Sequence, residues 1–131
     1  MSVTKSALRI LQLSRAIRRL EEALALPPEA PVAIDGTIQR FEFTFELAWK
    51  AVQALLEEQG VLVSTPRSAI KEAYAAGWIT NEAPWIDMLK ARNLTSHTYD
   101  EARALEVYRQ IREDFPALVA LGQRLKSLIP T

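Results

Sequence analysis

The decapeptide RNLTSHTYDE, residues 92–101, contains the only histidine of the 131-residue chain. His97 can accept or donate a proton near neutral pH. Arg92 can hold a phosphate with its planar guanidinium group and can stabilise developing negative charge. The neighbouring polar side chains that could orient the histidine or a substrate are Asn93, Thr95, Ser96 and Tyr99. These residue types suit phosphodiester cleavage by a nucleophile already in the substrate, such as an RNA 2′-hydroxyl, without a metal ion.

A structural interpretation competes with the chemical one, and the residues alone favour it. A single histidine beside a helix cap more often supports the cap or lies at the surface. Arg92 could pair with an acidic residue near a helix C-terminus. A Ser96–His97 nucleophile pair is favoured less than either interpretation, because adjacent side chains rarely point at each other and no third orienting group is placed.

The predicted helix boundaries allow Arg92 and His97 to converge. On one continuous helix, five residues at about 100° each would place these side chains about 140° apart. However, the segment from Thr98 to Glu101 fits a capping box, with Thr98 as N-cap and Glu101 at position N3. We therefore expect one helix to end near Ser96 and the last helix to begin just after His97, with the histidine in the connection.

Hydrophobic residues at helical spacing predict the elements on either side of this connection. The longest stripes are Ile10, Leu13, Ile17, Leu20 and Leu24; Ile38, Phe41, Phe45, Ala48, Val52 and Leu55; and Ala104, Tyr108, Ile111, Phe115, Leu118, Gly122, Leu125 and Ile129. The proline-rich segment LPPEAP (26–31) separates the first two helices. Because the last stripe keeps its register across Pro116, we expect a kink at that proline and not a stop.

Local signals define the shorter helices. Thr65 is a suitable N-cap and Pro66 a suitable first residue for a short helix that ends at about Ala76. Gly60 is a plausible C-terminal cap of the preceding helix, and the fourth helix begins near Asn81. We therefore predict an all-α fold, an antiparallel up-and-down helical bundle of four main helices plus one short helix, in a single domain over residues 1–131.

The second helix carries more aromatic residues than one face can bury. The segment RFEFTFELAWK (40–50) places aromatic and leucine side chains at alternate positions, which distributes them over several faces of a helix. Such a helix is either central in the bundle or shared with a partner. Its polar stripe favours a solvated Glu46–Lys50 pair; the alternative is that Glu42 or Glu46 faces a site, and we retain Glu46 as a candidate supporting residue.

Composition excludes several chemistries. The chain has no cysteine, which excludes disulfides, thiolate nucleophiles and zinc–cysteine sites. One histidine excludes an intramolecular multi-histidine metal site, so we expect neither a metal nor a cofactor. With 16 basic and 16 acidic residues the net charge is zero, which gives no support for broad nucleic-acid binding but allows a small local site.

The sequence gives no sign of a membrane segment. No apolar run approaches the roughly 20 residues of a membrane span. The first 20 residues contain four arginines where a secretory signal would need an uninterrupted apolar stretch. We therefore expect a cytoplasmic protein.

The spacing of Arg92, His97 and Tyr99 resembles the R-X4-H-X-Y motif of HEPN-domain proteins, and Asn93 matches the polar residue that commonly follows the arginine there. The resemblance extends from about residue 5 to residue 125. The blocks that carry it are RFEFTFELAWKAVQALLEEQG (40–60), TPRSAIKEAYAAGWI (65–79), WIDMLKARNLTSHTYDE (85–101) and YRQI (108–111). Together they are similar to the HepT-like subfamily of nucleotidyltransferase substrate-binding proteins.

The resemblance implies an activity and a partner. Proteins of this kind form helical homodimers and are commonly encoded beside a minimal nucleotidyltransferase, and many such pairs look like toxin–antitoxin modules. There the HEPN protein is a metal-independent RNase, and the transferase silences it by adding AMP to the motif tyrosine. By resemblance, Arg92 and His97 form the catalytic pair, Asn93 supports it, and Tyr99 is the residue modified. Ser96 remains a candidate supporting residue because its polar side chain neighbours His97 in the sequence.

Three hypotheses follow from the sequence. The first is the RNase toxin of a two-component module. The second is a non-catalytic substrate-binding or regulatory subunit of a minimal nucleotidyltransferase, which is the older view of the subfamily. The third and weakest is a helical adaptor whose polar connection is structural.

Overall fold

A computed structural model describes residues 4–29, 31–94 and 100–129. These residues form five helices joined by short segments: α1 (Lys5–Leu24), α2 (Pro31–Glu58), α3 (Pro66–Ala75), α4 (Ala83–Leu94) and α5 (Glu101–Ser127). The predicted all-α bundle, with one short helix among longer ones, is confirmed. None of the helices described is long and apolar enough to cross a membrane.

Helix α2 is the central element, since it packs against each of the other four helices. Phe41 and Phe45 are fully buried on it, with ring centroids 6.0 Å apart. Phe45 also packs against Trp85 of α4, at a centroid distance of 6.3 Å. Phe43 points outward instead and is 68% exposed. The aromatic residues of α2 therefore reflect mainly its central position, and Phe43 is the one that faces outward.

The predicted boundaries of the short helix are confirmed. The Thr65 hydroxyl accepts a hydrogen bond from the Ser68 backbone N–H at 3.1 Å, and the Ser68 hydroxyl oxygen accepts one from the Thr65 N–H at 3.2 Å. Pro66 occupies the first helical position, where a missing N–H has no consequence. Local capping chemistry alone therefore fixes where α3 begins.

Glycine residues end α2 and α3 in the same way. Gly60 and Gly77 have φ angles of 82° and 79°, a region that residues with a Cβ rarely adopt. At each site the glycine and the residue after it, Val61 or Trp78, donate backbone hydrogen bonds to the last turn of the helix. The predicted cap at Gly60 is confirmed.

The start of α5 differs from the prediction, whereas that of α4 agrees with it. The N-cap of α5 is Asp100, whose carboxylate accepts a hydrogen bond from the Ala102 N–H at 2.9 Å. Glu101 is therefore the first helical residue, and the proposed capping box with Thr98 as N-cap is wrong. Helix α4 begins at Ala83, close to Asn81 as predicted, and the Asn81 side chain accepts a hydrogen bond from the Ala83 N–H at 3.0 Å.

Helix α5 continues through Pro116, as predicted from the unbroken register of its hydrophobic stripe. The kink expected there stays a prediction.

One acidic side chain lies in the core. Asp114 of α5 is 4% exposed and accepts a hydrogen bond from Gln110 Nε2 at 2.9 Å. Burial is the largest influence and raises the pKa of Asp114 from 3.8 to about 6. The hydrogen bond from Gln110 opposes this rise, and the negative charges of Asp87 and Glu113 add to it. The folded protein is therefore destabilised when Asp114 ionises.

Asp114→Asn should increase the free energy of unfolding near neutral pH by about 1–3 kcal/mol. The pKa of Asp114 is higher in the folded protein than in the unfolded chain. The destabilisation is therefore fully present above about pH 6 and disappears below about pH 4, where both states are protonated. Urea unfolding of the wild type and the variant across this range measures the effect. The exposed Glu21 of α1 gives a control, Glu21→Gln, which should leave this pH dependence unchanged. A pH-independent difference for Asp114→Asn would contradict the assignment.

Candidate functional site

Helix α4 positions the arginine of the candidate site. Trp85, Met88 and Ala91 form its buried face, and Trp85 fixes the helix against α2 through Phe45. Arg92 lies in the last turn, where a positive charge interacts favourably with the C-terminal end of the helix dipole. Packing of α4 thus presents Arg92 at the end of the helix, beside the connection to α5.

Arg92 is held from two sides. Its Nη2 donates to Glu46 Oε1 at 2.9 Å, and its Nη1 donates to Asn93 Oδ1 at 3.0 Å. Glu46 lies on α2, 46 residues earlier in the sequence. The side chains of Arg92 and Glu46 are 33% and 36% exposed, so water and solutes reach the pair. The structure therefore brings three of the predicted site residues together, namely Arg92, Asn93 and Glu46.

A second donor holds the other oxygen of Glu46. Trp49 Nε1 donates to Glu46 Oε2 at 2.8 Å. Burial alone would raise the pKa of Glu46. The hydrogen bonds from Arg92 and Trp49, with the charges of Arg92 and Lys50, outweigh burial and hold that pKa below its ordinary value. Glu46 is therefore ionised near neutral pH, and it suits charge stabilisation and orientation better than proton donation.

The favoured interpretation of the α2 polar stripe is wrong for Glu46. Its partner within ion-pair distance, among the residues described, is Arg92 and not Lys50. Lys50 acts on Glu46 through its charge. Glu42, the other acidic candidate, is exposed. Of the two, Glu46 is the one that contacts the arginine.

Sequence reasoning missed Trp49 as a member of the site. Trp49 follows Glu46 by three residues, a spacing that places two side chains next to each other on a helix. That spacing is visible in the sequence, but the aromatic character of Trp49 groups it with the hydrophobic residues of α2.

The remaining predicted site residues, Ser96, His97 and Tyr99, lie outside the described residues, as do Thr95 and Thr98. The residues on either side are placed: α4 is described to Leu94, and Asp100 caps α5. Asp100 has an extended backbone, with φ of −89° and ψ of 123°, so α4 and α5 are separate helices. The roles of Ser96, His97 and Tyr99 stay predictions.

The arrangement also serves a structural role. The Arg92–Glu46 ion pair connects the end of α4 to the middle of α2. The structural interpretation of the sequence expected such a pairing of Arg92 with an acidic residue. A partly exposed ion pair contributes at most about 1 kcal/mol to stability. The same contact orients the guanidinium group of Arg92, which lies in the last turn of α4.

Fold and site together define a small helical-bundle protein with an oriented, solvent-accessible arginine, and comparisons with known proteins identify its family. The family described as "nucleotidyltransferase substrate binding protein like" matches residues 8–127. The chain belongs to this family. The subfamily resemblance inferred from the sequence blocks is thereby confirmed.

Individual relatives agree with this assignment. The "Probable ribonuclease HepT" of Haemophilus influenzae is 36% identical over 87 residues, which cover 63% of this chain and 59% of the relative. A crystal structure of a protein from Thermus thermophilus has 34% identity and a TM-score of 0.80, and the match covers 87% of this chain and 98% of that one.

A second structure is that of a Haemophilus influenzae protein, described as revealing the fold of a substrate binding domain of a nucleotidyltransferase. It has 27% identity and a TM-score of 0.79, with 89% of this chain and 98% of that chain covered.

Proposed function

We propose that this protein is a HEPN-type, metal-independent endoribonuclease that uses the Arg92-X4-His97 motif. The observation that carries the proposal is the arginine itself, held at the end of α4 by Glu46 and Asn93 and accessible to solvent. The similarity to a relative named as a ribonuclease supports the same assignment.

The proposed chemistry divides the work between two residues. The 2′-oxygen of the RNA forms a bond to phosphorus, and the bond from phosphorus to the 5′-oxygen breaks. His97 removes the proton from the 2′-hydroxyl and returns a proton to the departing 5′-oxygen. Arg92 binds the phosphate and stabilises the negative charge that develops on it. Glu46 takes no part in proton transfer in this scheme: its lowered pKa makes the carboxylate a weak base, and both of its oxygens accept hydrogen bonds from Arg92 and Trp49.

The purified protein should cleave RNA in the presence of EDTA, since no step of this scheme uses a metal ion. The measurement is gel analysis of structured and unstructured RNA with and without the chelator. A matched DNA oligonucleotide, which has no 2′-hydroxyl, should remain intact. If wild-type protein leaves both kinds of RNA intact, the nuclease proposal is replaced by the alternative below.

The alternative is a non-catalytic substrate-binding or regulatory subunit of a minimal nucleotidyltransferase. The description of the matched family and that of the second solved structure favour it. In that case Arg92 would bind a phosphate-bearing substrate for the partner without catalysing a reaction. Arg92→Ala would then weaken the partner's activity, and neither the wild type nor any variant of this protein would cleave RNA.

We also propose that the protein acts in the cytoplasm with a cognate nucleotidyltransferase, as the RNase toxin of a toxin–antitoxin pair. The family description supports a nucleotidyltransferase as partner. The transferase would silence the nuclease by adding AMP to Tyr99.

The protein is expected to form a homodimer in which the two connections that carry His97 face each other. The exposed Phe43 on the central helix α2 supports a partner at this face. Sedimentation at micromolar concentration should give about twice the chain mass of 14.7 kDa. Phe43→Glu should shift the protein towards monomer, whereas Tyr74→Glu, at an exposed aromatic residue of α3, should not. A wild-type monomer would rule the homodimer out.

A further inference from the structure

Both oxygens of the Glu46 carboxylate are hydrogen bonded, and each has a different donor. Oε1 accepts from Arg92 of α4 at 2.9 Å, and Oε2 accepts from Trp49 of α2 at 2.8 Å. The terminal torsion of a glutamate is broad, so a carboxylate held at one oxygen only can rotate. A separate donor on each oxygen limits this rotation. The carboxylate thereby connects an indole N–H on one helix to a guanidinium on another.

The indole is a suitable anchor for this connection. The ring of Trp49 is half-buried and packs against the hydrophobic core, so the position of its N–H is set by the fold of α2. Arg92, by contrast, has a long, flexible side chain at the end of a helix, and ordering such a side chain has a large entropic penalty. The rigid indole N–H of Trp49 therefore limits, through Glu46, the motion of the flexible Arg92 side chain.

We propose that Trp49 is a positioning residue for Arg92: it holds the Glu46 carboxylate in the orientation that presents the guanidinium group to the substrate phosphate. This inference rests on the proposed phosphate-binding role of Arg92. Trp49 itself touches no substrate and acts through Glu46. Its contribution should therefore depend on the presence of both Glu46 and Arg92.

The kinetic test is a double-mutant cycle. Trp49→Phe keeps an aromatic ring but removes the N–H, and kcat for RNA cleavage should fall by roughly 3- to 20-fold, as expected for loss of one charged hydrogen bond at a half-exposed position. In a Glu46→Gln background the same change should lower kcat by less than about twofold, because interactions within one network are not additive. The control Trp78→Phe, in a buried ring beside the end of α3, should leave kcat unchanged.

Two kinetic outcomes would overturn the inference. An equal effect of Trp49→Phe in both backgrounds would mean that the indole acts independently of Glu46. A rise in kcat would mean that Glu46 competes with the substrate phosphate for Arg92 and that its fixed orientation opposes catalysis.

A spectroscopic arm tests the connection even if the protein has no nuclease activity. The chain has three tryptophans, so ¹⁵N-labelled protein gives three indole N–H resonances, and Trp49→Phe identifies the one from Trp49. Both Glu46→Gln and Arg92→Ala should shift the Trp49 resonance and leave those of Trp78 and Trp85 in place. If the Trp49 resonance stays in place in Glu46→Gln or Arg92→Ala, the inference is refuted. If the resonance shifts but the protein does not cleave RNA, the connection is supported and only the nuclease proposal is excluded.

Discussion

His97→Ala should reduce RNA cleavage by about 10²- to 10⁴-fold, the usual effect of losing a general acid–base group. His97 is the only histidine in the chain. Among the residues placed around Arg92, the carboxylate of Glu46 is a weak base because its pKa is lowered, and the indole of Trp49 has no basic nitrogen. Proton transfer in the proposed reaction therefore depends on His97.

The fold should survive this substitution. In the sequence, His97 lies between α4 and α5 and outside the hydrophobic stripes that predict the helices. The unfolding midpoint of His97→Ala should therefore match that of the wild type. Cleavage is measured by initial rates on one RNA, and a mock purification without the protein gives the background from trace contaminants.

Arginine variants provide the comparison. Arg92→Ala should also lose most activity, because it removes the proposed phosphate ligand, and Arg92→Lys should restore little since an ammonium group lacks the planar fork of donors. Arg103→Ala removes the same charge from an exposed position on α5 and should leave cleavage unaltered. A His97→Ala protein that cleaves as fast as the wild type would exclude His97 as the proton-transfer group.

Local sequence signals predicted the helices well where one signal decided the boundary. The short helix α3 has Thr65 as N-cap followed by Pro66 at the first helical position. Ser64 is also a suitable cap residue, but the proline selects Thr65 because the residue before a proline is disfavoured in helical conformation. Similarly, Gly60 is the only residue after α2 suited to a positive φ angle, and it ends the helix.

The start of α5 shows where such signals fail. Thr98 with Glu101 and Asp100 with Ala102 are two possible caps within five residues, and both satisfy a simple capping rule. Sequence alone does not rank them. In the structure, Asp100 provides the cap, and Glu101 then lies in the first turn, where its negative charge is favourable.

The contacts of the candidate site were beyond a local analysis. Arg92 and Glu46 are 46 residues apart and meet only because α4 packs on α2. The spacing of residues on α2 favoured Lys50 as the partner of Glu46, because spacing within one helix carries no information about charged residues on other helices. Arg92, Asn93 and Tyr99 were identified from the resemblance to a known family. The contact of Trp49 with Glu46 could be found only from the arrangement of the helices.

Co-expression with a cognate nucleotidyltransferase should convert the protein into a form that carries one or more AMP units on Tyr99 and does not cleave RNA. Tyr99 is two residues after His97 and directly precedes Asp100, the N-cap of α5. By the family resemblance, Tyr99 belongs to the same motif as the arginine that is proposed to bind the substrate phosphate, and we expect its modification to affect that site. The transfer would form a bond between the tyrosine oxygen and the α-phosphorus of ATP and release pyrophosphate.

Each AMP would inhibit by two physical effects. Its phosphate carries negative charge and would compete with the RNA phosphate for the guanidinium group of Arg92. Its nucleoside would also block access to the connection that contains His97. Because the modification is covalent, inhibition should persist after the partner has been removed.

Intact mass spectrometry of the purified protein measures the modification directly. The mass of the co-expressed wild type should rise by whole AMP units, and Tyr99→Phe should keep its unmodified mass. Tyr74→Phe, at an exposed tyrosine on α3, is the matched control and should be modified like the wild type. An unmodified wild type whose inhibition disappears when the partner is washed away would show that silencing works by occlusion and not by transfer of AMP.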